Sequence, residues 1–128
     1  MKIEHIALWA DNLELLREFY CRWFNAAASP QYHNPRKGFT SCFLTFPDGI
    51  TRLELMNTPG ITDTEADGLR RGYCHIAISL DSRQKVDETT AAMHREGVTV
   101  ISGPRTTGDG YYESVIEDPE GNLVELTV

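Results

Sequence analysis

The chain has 128 residues, with 12 Lys and Arg against 19 Asp and Glu and a formal charge of −7. That is one domain's length, enough to bury a core without staples, and the acidic balance opposes nucleic acid and anionic membrane surfaces, leaving a small molecule or a metal ion as the expected partner. The three cysteines, Cys21, Cys42 and Cys74, are odd in number and lack CxxC spacing, which predicts free thiols in a reducing compartment. The charged N-terminus and the lack of a long apolar run predict a soluble cytoplasmic protein without membrane attachment.

Ile3 to Ala10 has the β-branched and aromatic content of a strand, with His5, Ala7 and Trp9 on one face and Ile6 and Leu8 on the other. Asp11 followed by Glu14 predicts an N-cap with a capping box, opening a helix to about Phe24 whose Leu13, Leu16, Tyr20 and Trp23 form an apolar stripe. Ala26 to Gly38, holding Pro30 and Pro35, predicts a loop or short strand. Phe39 to Phe46 and Ile50 to Met56 predict two strands joined by the turn Pro47-Asp48-Gly49, with Arg52, Glu54 and Met56 sharing a face. Asn57 to Gly72 is the linker, with room for one helical turn.

The same plan then repeats. Tyr73 to Leu80 predicts a strand with Tyr73, His75, Ala77 and Ser79 on one face. A helix capped near Ser82 runs to about Glu96, burying Val86, Thr90 and Met93, with Gly97 as its C′ residue. Val98 to Ile101 predicts a short strand, Ser102 to Gly110 a loop, and Tyr111 to Glu117 with Asn122 to Val128 a closing hairpin. The repetition is explicit in the residues: His75-Ile76-Ala77-Ile78 echoes His5-Ile6-Ala7-Leu8 at an offset of 70 (75 − 5), and Glu125 echoes Glu54 at 71 (125 − 54). A fixed offset dictates architecture. The expected fold is a single α+β domain of two tandem βαβββ modules, about 1–57 and 73–128 with a linker at about 58–72. The modules are expected to form a curved eight-stranded sheet around a cleft, with helices outside.

Each module begins with a histidine and ends with a glutamate on the face turned from its helix, so His5, Glu54, His75 and Glu125 are the candidate metal ligands. Two imidazoles and two carboxylates without a thiolate suit one divalent ion among Zn, Ni, Co, Mn and Fe. A lone His or Glu at a strand edge is more often a structural or surface residue, and duplication alone would also match the positions. Two carboxylates on the inner face of a sheet nevertheless demand charged partners. His33 and His94 have no partner at ligand spacing. Trp9, Tyr73, Tyr111 and Tyr112 are candidate pocket walls, and Arg52 and Arg105 candidate anchors for an anionic substrate.

A duplicated chain with these four residues resembles the vicinal oxygen chelate superfamily, specifically its glyoxalase I-like proteins. The sharpest segments are Tyr73-Cys74-His75-Ile76-Ala77-Ile78-Ser79 and Glu117-Asp118-Pro119-Glu120-Gly121-Asn122-Leu123-Val124-Glu125-Leu126. The resemblance implies a metal-dependent lyase or isomerase acting on a small substrate with vicinal oxygens, in which the ion acts as a Lewis acid and a ligand glutamate, Glu125 with Glu54 as its symmetry mate, moves a proton. It also implies a homodimer, with ligands supplied in trans. Extradiol dioxygenases and fosfomycin-resistance enzymes use only two His and one Glu, matching His5, His75 and Glu125, and the bleomycin-binding members sequester a ligand without metal; both remain alternatives. Glyoxalase I carries an arginine four residues after its first ligand histidine, to hold the glutathione carboxylate. This chain has Trp9 there, so the resemblance stops short of glutathione recognition.

Overall fold

A computed structural model describes residues 1–62 and 71–128. The helical turn expected within the linker falls mainly on 63–70, outside the described residues. The chain divides into two units, Met1–Glu65 and Ala66–Val128. No helix is long and apolar enough to cross a membrane among the described residues.

The first unit runs β1 (His5–Trp9), α1 (Leu13–Phe24), β2 (Ala27–Ala28), β3 (Tyr32–Asn34), β4 (Phe39–Thr45) and β5 (Arg52–Asn57). The stretch expected as a loop or short strand supplies two short strands, both antiparallel to β4. The sheet order is β1-β5-β4-β2, with β1 and β5 parallel. Helix α1 packs on β4 and β5, burying Leu13, Leu16, Phe19, Tyr20 and Phe24 against the side of the sheet that carries Cys42, Leu44, Leu53 and Leu55. Each large aliphatic side chain so buried contributes about 1.5–3 kcal/mol. Phe19 and Tyr20 meet edge to face at 5.2 Å.

Two expectations for α1 need correction. Its N-cap is Asn12, whose side-chain oxygen accepts from the Leu15 amide at 3.1 Å, rather than Asp11. Asn57 Nδ2 donates to the carbonyls of Ala10 and Asp11 at 2.8 and 3.2 Å, which ties the end of β1 to β5 and delays the helix by one residue. Glu14 consequently pairs with Arg17 instead of closing a capping box. Trp23 is only half-buried, and Phe19 and Phe24 take its place in the stripe.

The second unit runs β6 (His75–Ser79), α2 (Arg83–Arg95), β7 (Val100–Thr106), β8 (Tyr112–Glu117) and β9 (Leu123–Thr127), with sheet order β6-β9-β8-β7. Ser82 caps α2 by accepting from the Lys85 amide at 3.2 Å. The helix ends in a Schellman turn, with Gly97 at φ 87° and the Val98 amide donating to the Met93 carbonyl at 3.0 Å. Val86, Thr90 and Met93 are buried as expected. Thr90 gives its one hydroxyl proton to the Val86 carbonyl at 2.7 Å, so Ser114 is the donor in the 2.6 Å contact between the two hydroxyls.

Strand β7 corrects the expected loop at Ser102 to Gly110. Pairing with β8 continues to Thr106 through two register shifts, bringing Arg105 opposite Glu113. Gly103 makes this possible: it sits at φ 85°, and a Cβ there would lie 2.6 Å from the Glu113 carbonyl oxygen. Only glycine permits both the positive φ and that approach.

Candidate metal centre

In the first unit the parallel register sets His5 beside Arg52 and Ala7 beside Glu54, so His5 and Glu54 are diagonal neighbours on the side of the sheet opposite α1. His5 Nε2 stands 3.8 Å from Glu54 Oε2. In the second unit His75 lies beside Leu123 and Ala77 beside Glu125, and His75 Nε2 stands 3.4 Å from Glu125 Oε2. The environments match as well: the imidazoles are 41% and 40% exposed, the carboxylates 15% and 16%. Identical register, the same facing atoms and equal burial recur in both units.

Each pair is spaced for a shared ion. Two donors each about 2.0–2.2 Å from a tetrahedral centre stand about 3.4 Å apart. The second pair already has this separation and the first needs to close by a few tenths of an ångström. Two imidazole nitrogens with two carboxylate oxygens also form a donor set that divalent first-row ions accept. Among the described residues, no group of three or more His, Cys, Asp and Glu side chains stands together as a metal cage; the candidate residues meet two by two.

The surroundings of the two pairs differ. His5 Nδ1 lies 2.5 Å from Glu4 Oε2, and the other oxygen of Glu4 is ion-paired to Arg52. The hydrogen bond from His5 and then Arg52 hold the Glu4 carboxyl below the ordinary carboxylate range. The Arg52 guanidinium lies over the Phe43 ring at 3.9 Å, and Phe43 meets the His5 ring edge to face at 5.6 Å. In the second unit the neighbour is Glu113, nearly buried on β8, whose Oε1 pairs with Arg105 Nη2 at 3.4 Å. Burial, followed by the charge and hydrogen bond of Glu113, pushes the Glu125 carboxyl above its ordinary range against the opposing pull of His75.

Of the other residues singled out in the sequence, Trp9 lies on the His5 face of β1 and is 52% exposed, and Tyr111 is 60% exposed just before β8. Tyr73 is fully exposed ahead of β6. Tyr112 is turned away from the His75 face: its hydroxyl donates to Asp87 of α2 at 2.5 Å, beneath Arg83. His33 contacts the Thr40 hydroxyl at 3.0 Å on the surface, and His94 is exposed on α2. Glu113 and Glu4 escaped the sequence reading. The signal for Glu4 was its adjacency to His5; for Glu113 it was a carboxylate set among the strand residues Tyr112 and Val115.

The family model for the glyoxalase/bleomycin resistance protein/dioxygenase superfamily matches residues 2–126. No curated protein matches the sequence. Among solved structures, the chain is similar to the trypanothione-dependent glyoxalase I of Leishmania major, at 23% identity and a TM-score of 0.78, covering 99% of this chain and 86% of that one. It is similar to a glyoxalase family protein of Enterococcus faecalis, at 21% identity and a TM-score of 0.81, covering 99% and 97%. A third likeness, at 21% identity and a TM-score of 0.72 and covering 98% and 90%, is to a point variant of the fosfomycin resistance protein FosX of Listeria monocytogenes, complexed with Mn(II) and 1S,2S-dihydroxypropylphosphonic acid. Matched along nearly all its length, with a βαβββ second half and a first half that repeats that plan with one extra short strand, the chain belongs to the glyoxalase/bleomycin resistance protein/dioxygenase superfamily.

Proposed function

We propose that this chain is a metal-dependent lyase or isomerase of glyoxalase I type, acting on a small substrate with vicinal oxygens, with His5, Glu54, His75 and Glu125 as the donors to one divalent ion. The observation that carries the reading is the repeated pair, an imidazole Nε2 facing a carboxylate oxygen at 3.8 and 3.4 Å at the same register in both units. A single pair offers two donors, whereas a protein-bound divalent ion takes four or more. The two pairs together supply four, with water completing any larger shell. The ion, whether Zn²⁺, Ni²⁺, Co²⁺, Mn²⁺ or Fe²⁺, supplies Lewis acidity toward the substrate's oxygens.

The chain's own residues do the rest. Glu125 is the proton carrier: a second carboxyl, Glu113, lies against it where Glu54 has none, and in the metal-free protein burial and then Glu113 hold its carboxyl above the ordinary range. Arg105 keeps Glu113 in place and borders the same face. Trp9 and Tyr111 offer exposed aromatic surface to the apolar part of a substrate. The presence of Glu54 as a fourth donor distinguishes this set from the two-His, one-Glu set of the dioxygenase-like alternative. A second reading, ligand sequestration without turnover, is favoured by one observation only, the half-exposed Trp9 at a position where glyoxalase I carries a charge.

In this proposal the protein acts as a homodimer in which one chain's His5 and Glu54 work with a second chain's His75 and Glu125. His5→Ala and His75→Ala proteins should each lose tight Zn²⁺ binding, and mixing the two under conditions of subunit exchange should restore part of it, because a heterodimer then carries one intact set. Isothermal titration of the separate and mixed proteins reads this directly. Unchanged binding in both single variants overturns the donor assignment, and no recovery on mixing of exchanging subunits overturns the sharing between chains.

A further inference from the structure

Duplication accounts for two His and two Glu, but not for what surrounds the first histidine. His5, Glu4, Arg52 and Phe43 form a closed ring of contacts. His5 Nδ1 faces Glu4 Oε2 at 2.5 Å, Glu4 Oε1 pairs with Arg52, the Arg52 guanidinium lies over Phe43 at 3.9 Å, and the Phe43 ring returns to His5 at 5.6 Å. The register places the members on three adjacent strands, Arg52 beside His5 and Phe43 beside Glu54. Among the described residues the second unit has no such ring. Cys74 stands where Glu4 stands, Leu123 lies beside His75 as Arg52 lies beside His5, and Val115 lies beside Glu125 as Phe43 lies beside Glu54. Leucine and valine offer no side-chain acceptor and a thiol only a weak one, so none of the three can hold an imidazole as a carboxylate does.

We propose that Glu4, held by Arg52 laid on Phe43, is a positioning residue that fixes the His5 ring with its proton on Nδ1 and leaves the Nε2 lone pair facing Glu54 for a metal ion. The assignment of the ion rests on the function proposed above; the orientation of the ring does not. A carboxylate only accepts hydrogen bonds, so the nitrogen that faces Glu4 carries the proton and the other is left as the donor atom toward a metal. An exposed pair of this kind contributes little when free to move. Here the carboxylate is held at both oxygens and the guanidinium is held by an aromatic face, which is what keeps the geometry. Arg52 thereby becomes part of the support for His5 instead of an anchor for an anionic substrate.

The test uses the full-length, metal-free protein with ¹⁵N-labelled histidine at about pH 8, where an ordinary imidazole is neutral, and compares wild type with Glu4→Gln and Arg52→Met. The expected wild-type spectrum shows His5 in the Nδ1–H form. In Glu4→Gln the His5 signals move toward a mixture of the two tautomers, while those of His75 in the same spectrum stay in place. Arg52→Met shifts His5 in the same direction by less. Zn²⁺ titration should then show affinity about 10–100-fold weaker in Glu4→Gln. His5 signals unchanged by Glu4→Gln overturn the proposal, and so does a wild-type His5 in the Nε2–H form. The tautomer reading is made without metal, so it decides the role of Glu4 even if His5→Ala leaves Zn²⁺ affinity unchanged, a result that would instead overturn the donor assignment.

Discussion

Glu125→Gln lowers turnover by the metal-loaded protein about 10²–10⁴-fold, the usual contribution of a positioned acid–base group, and by more than Glu54→Gln does. Both glutamates lie 15–16% exposed beside a histidine, so burial and the neighbouring imidazole do not separate them. Glu113 does. It puts a second carboxyl against Glu125, with a hydrogen bond between them, whereas the residue beside Glu54 on β4 is Phe43 and the position matching Glu113 is Ser41. A glutamine keeps the shape and one oxygen donor but does not take up and release a proton. At a metal concentration that loads both proteins, proton transfer is therefore expected to fail while the ion stays bound. The two variants are compared by elemental analysis and by solvent-deuterium incorporation into the product formed from methylglyoxal hemithioacetals, prepared with a panel of thiols. A larger loss in Glu54→Gln than in Glu125→Gln would assign the proton to the first unit's glutamate instead.

The hemithioacetal of methylglyoxal with glutathione is expected to be a poor substrate, with kcat/KM below about 10⁵ per molar per second, under the efficient range. The reason is the side of the substrate distant from the vicinal oxygens. Its carboxylate would meet Trp9, which lies on the His5 face of β1 and is 52% exposed. A charge-assisted hydrogen bond is worth about 1.5–3 kcal/mol, and at about 1.4 kcal/mol per tenfold its absence weakens binding roughly tenfold to a hundredfold. The two arginines singled out are engaged: Arg52 pairs with Glu4 and Arg105 with Glu113. Drawing either away would expose a carboxylate in exchange. A less acidic or cationic thiol conjugate escapes this loss, so the rank order across the thiol panel is informative. Efficient turnover of the glutathione conjugate would show that Arg52 or Arg105 leaves its partner for the substrate.

Much of the fold is legible because alternation and repetition reinforce each other. The period of two in His5-Ile6-Ala7-Leu8-Trp9 and His75-Ile76-Ala77-Ile78-Ser79 assigns one face to the helix and the other to His5 or His75, and the strands have that arrangement. Glu54 and Glu125 follow by the same count along β5 and β9. The pairing of each glutamate with its own module's histidine depends on β1 lying parallel to β5 and β6 parallel to β9, which the repeat implies but does not spell out.

What escaped the sequence has local causes. Ser102-Gly103-Pro104 has the composition of a loop, yet a glycine at positive φ lets β7 run on through a close approach to β8. Arg105 meets Glu113 only because of that extension. Asp11 and Asn12 are both good caps, and the choice between them is made by Asn57, 45 residues further on (57 − 12), when it bonds the carbonyls at the end of β1. In α1 the expected stripe ends one step out of phase, because Trp23 and Phe24 are adjacent and both apolar; the turn at Asn25, with φ 52°, follows directly on Phe24. The role of Glu4 required knowing that Arg52 lies beside His5, a contact between strands that no local pattern contains.

If the matched His and Glu pairs are metal donors, metal stoichiometry must depend on them. Purified wild-type protein and the double variant His75→Ala/Glu125→Ala are stripped, reloaded with Zn²⁺ or Mn²⁺, freed of excess ion and analysed for bound metal, with circular dichroism to establish that both are folded. About one ion per chain is expected in the wild type, as one His₂Glu₂ set per chain requires, with loss of most of it in the folded double variant. Stoichiometric metal held with unchanged affinity by that variant would show that His75 and Glu125 are not donors.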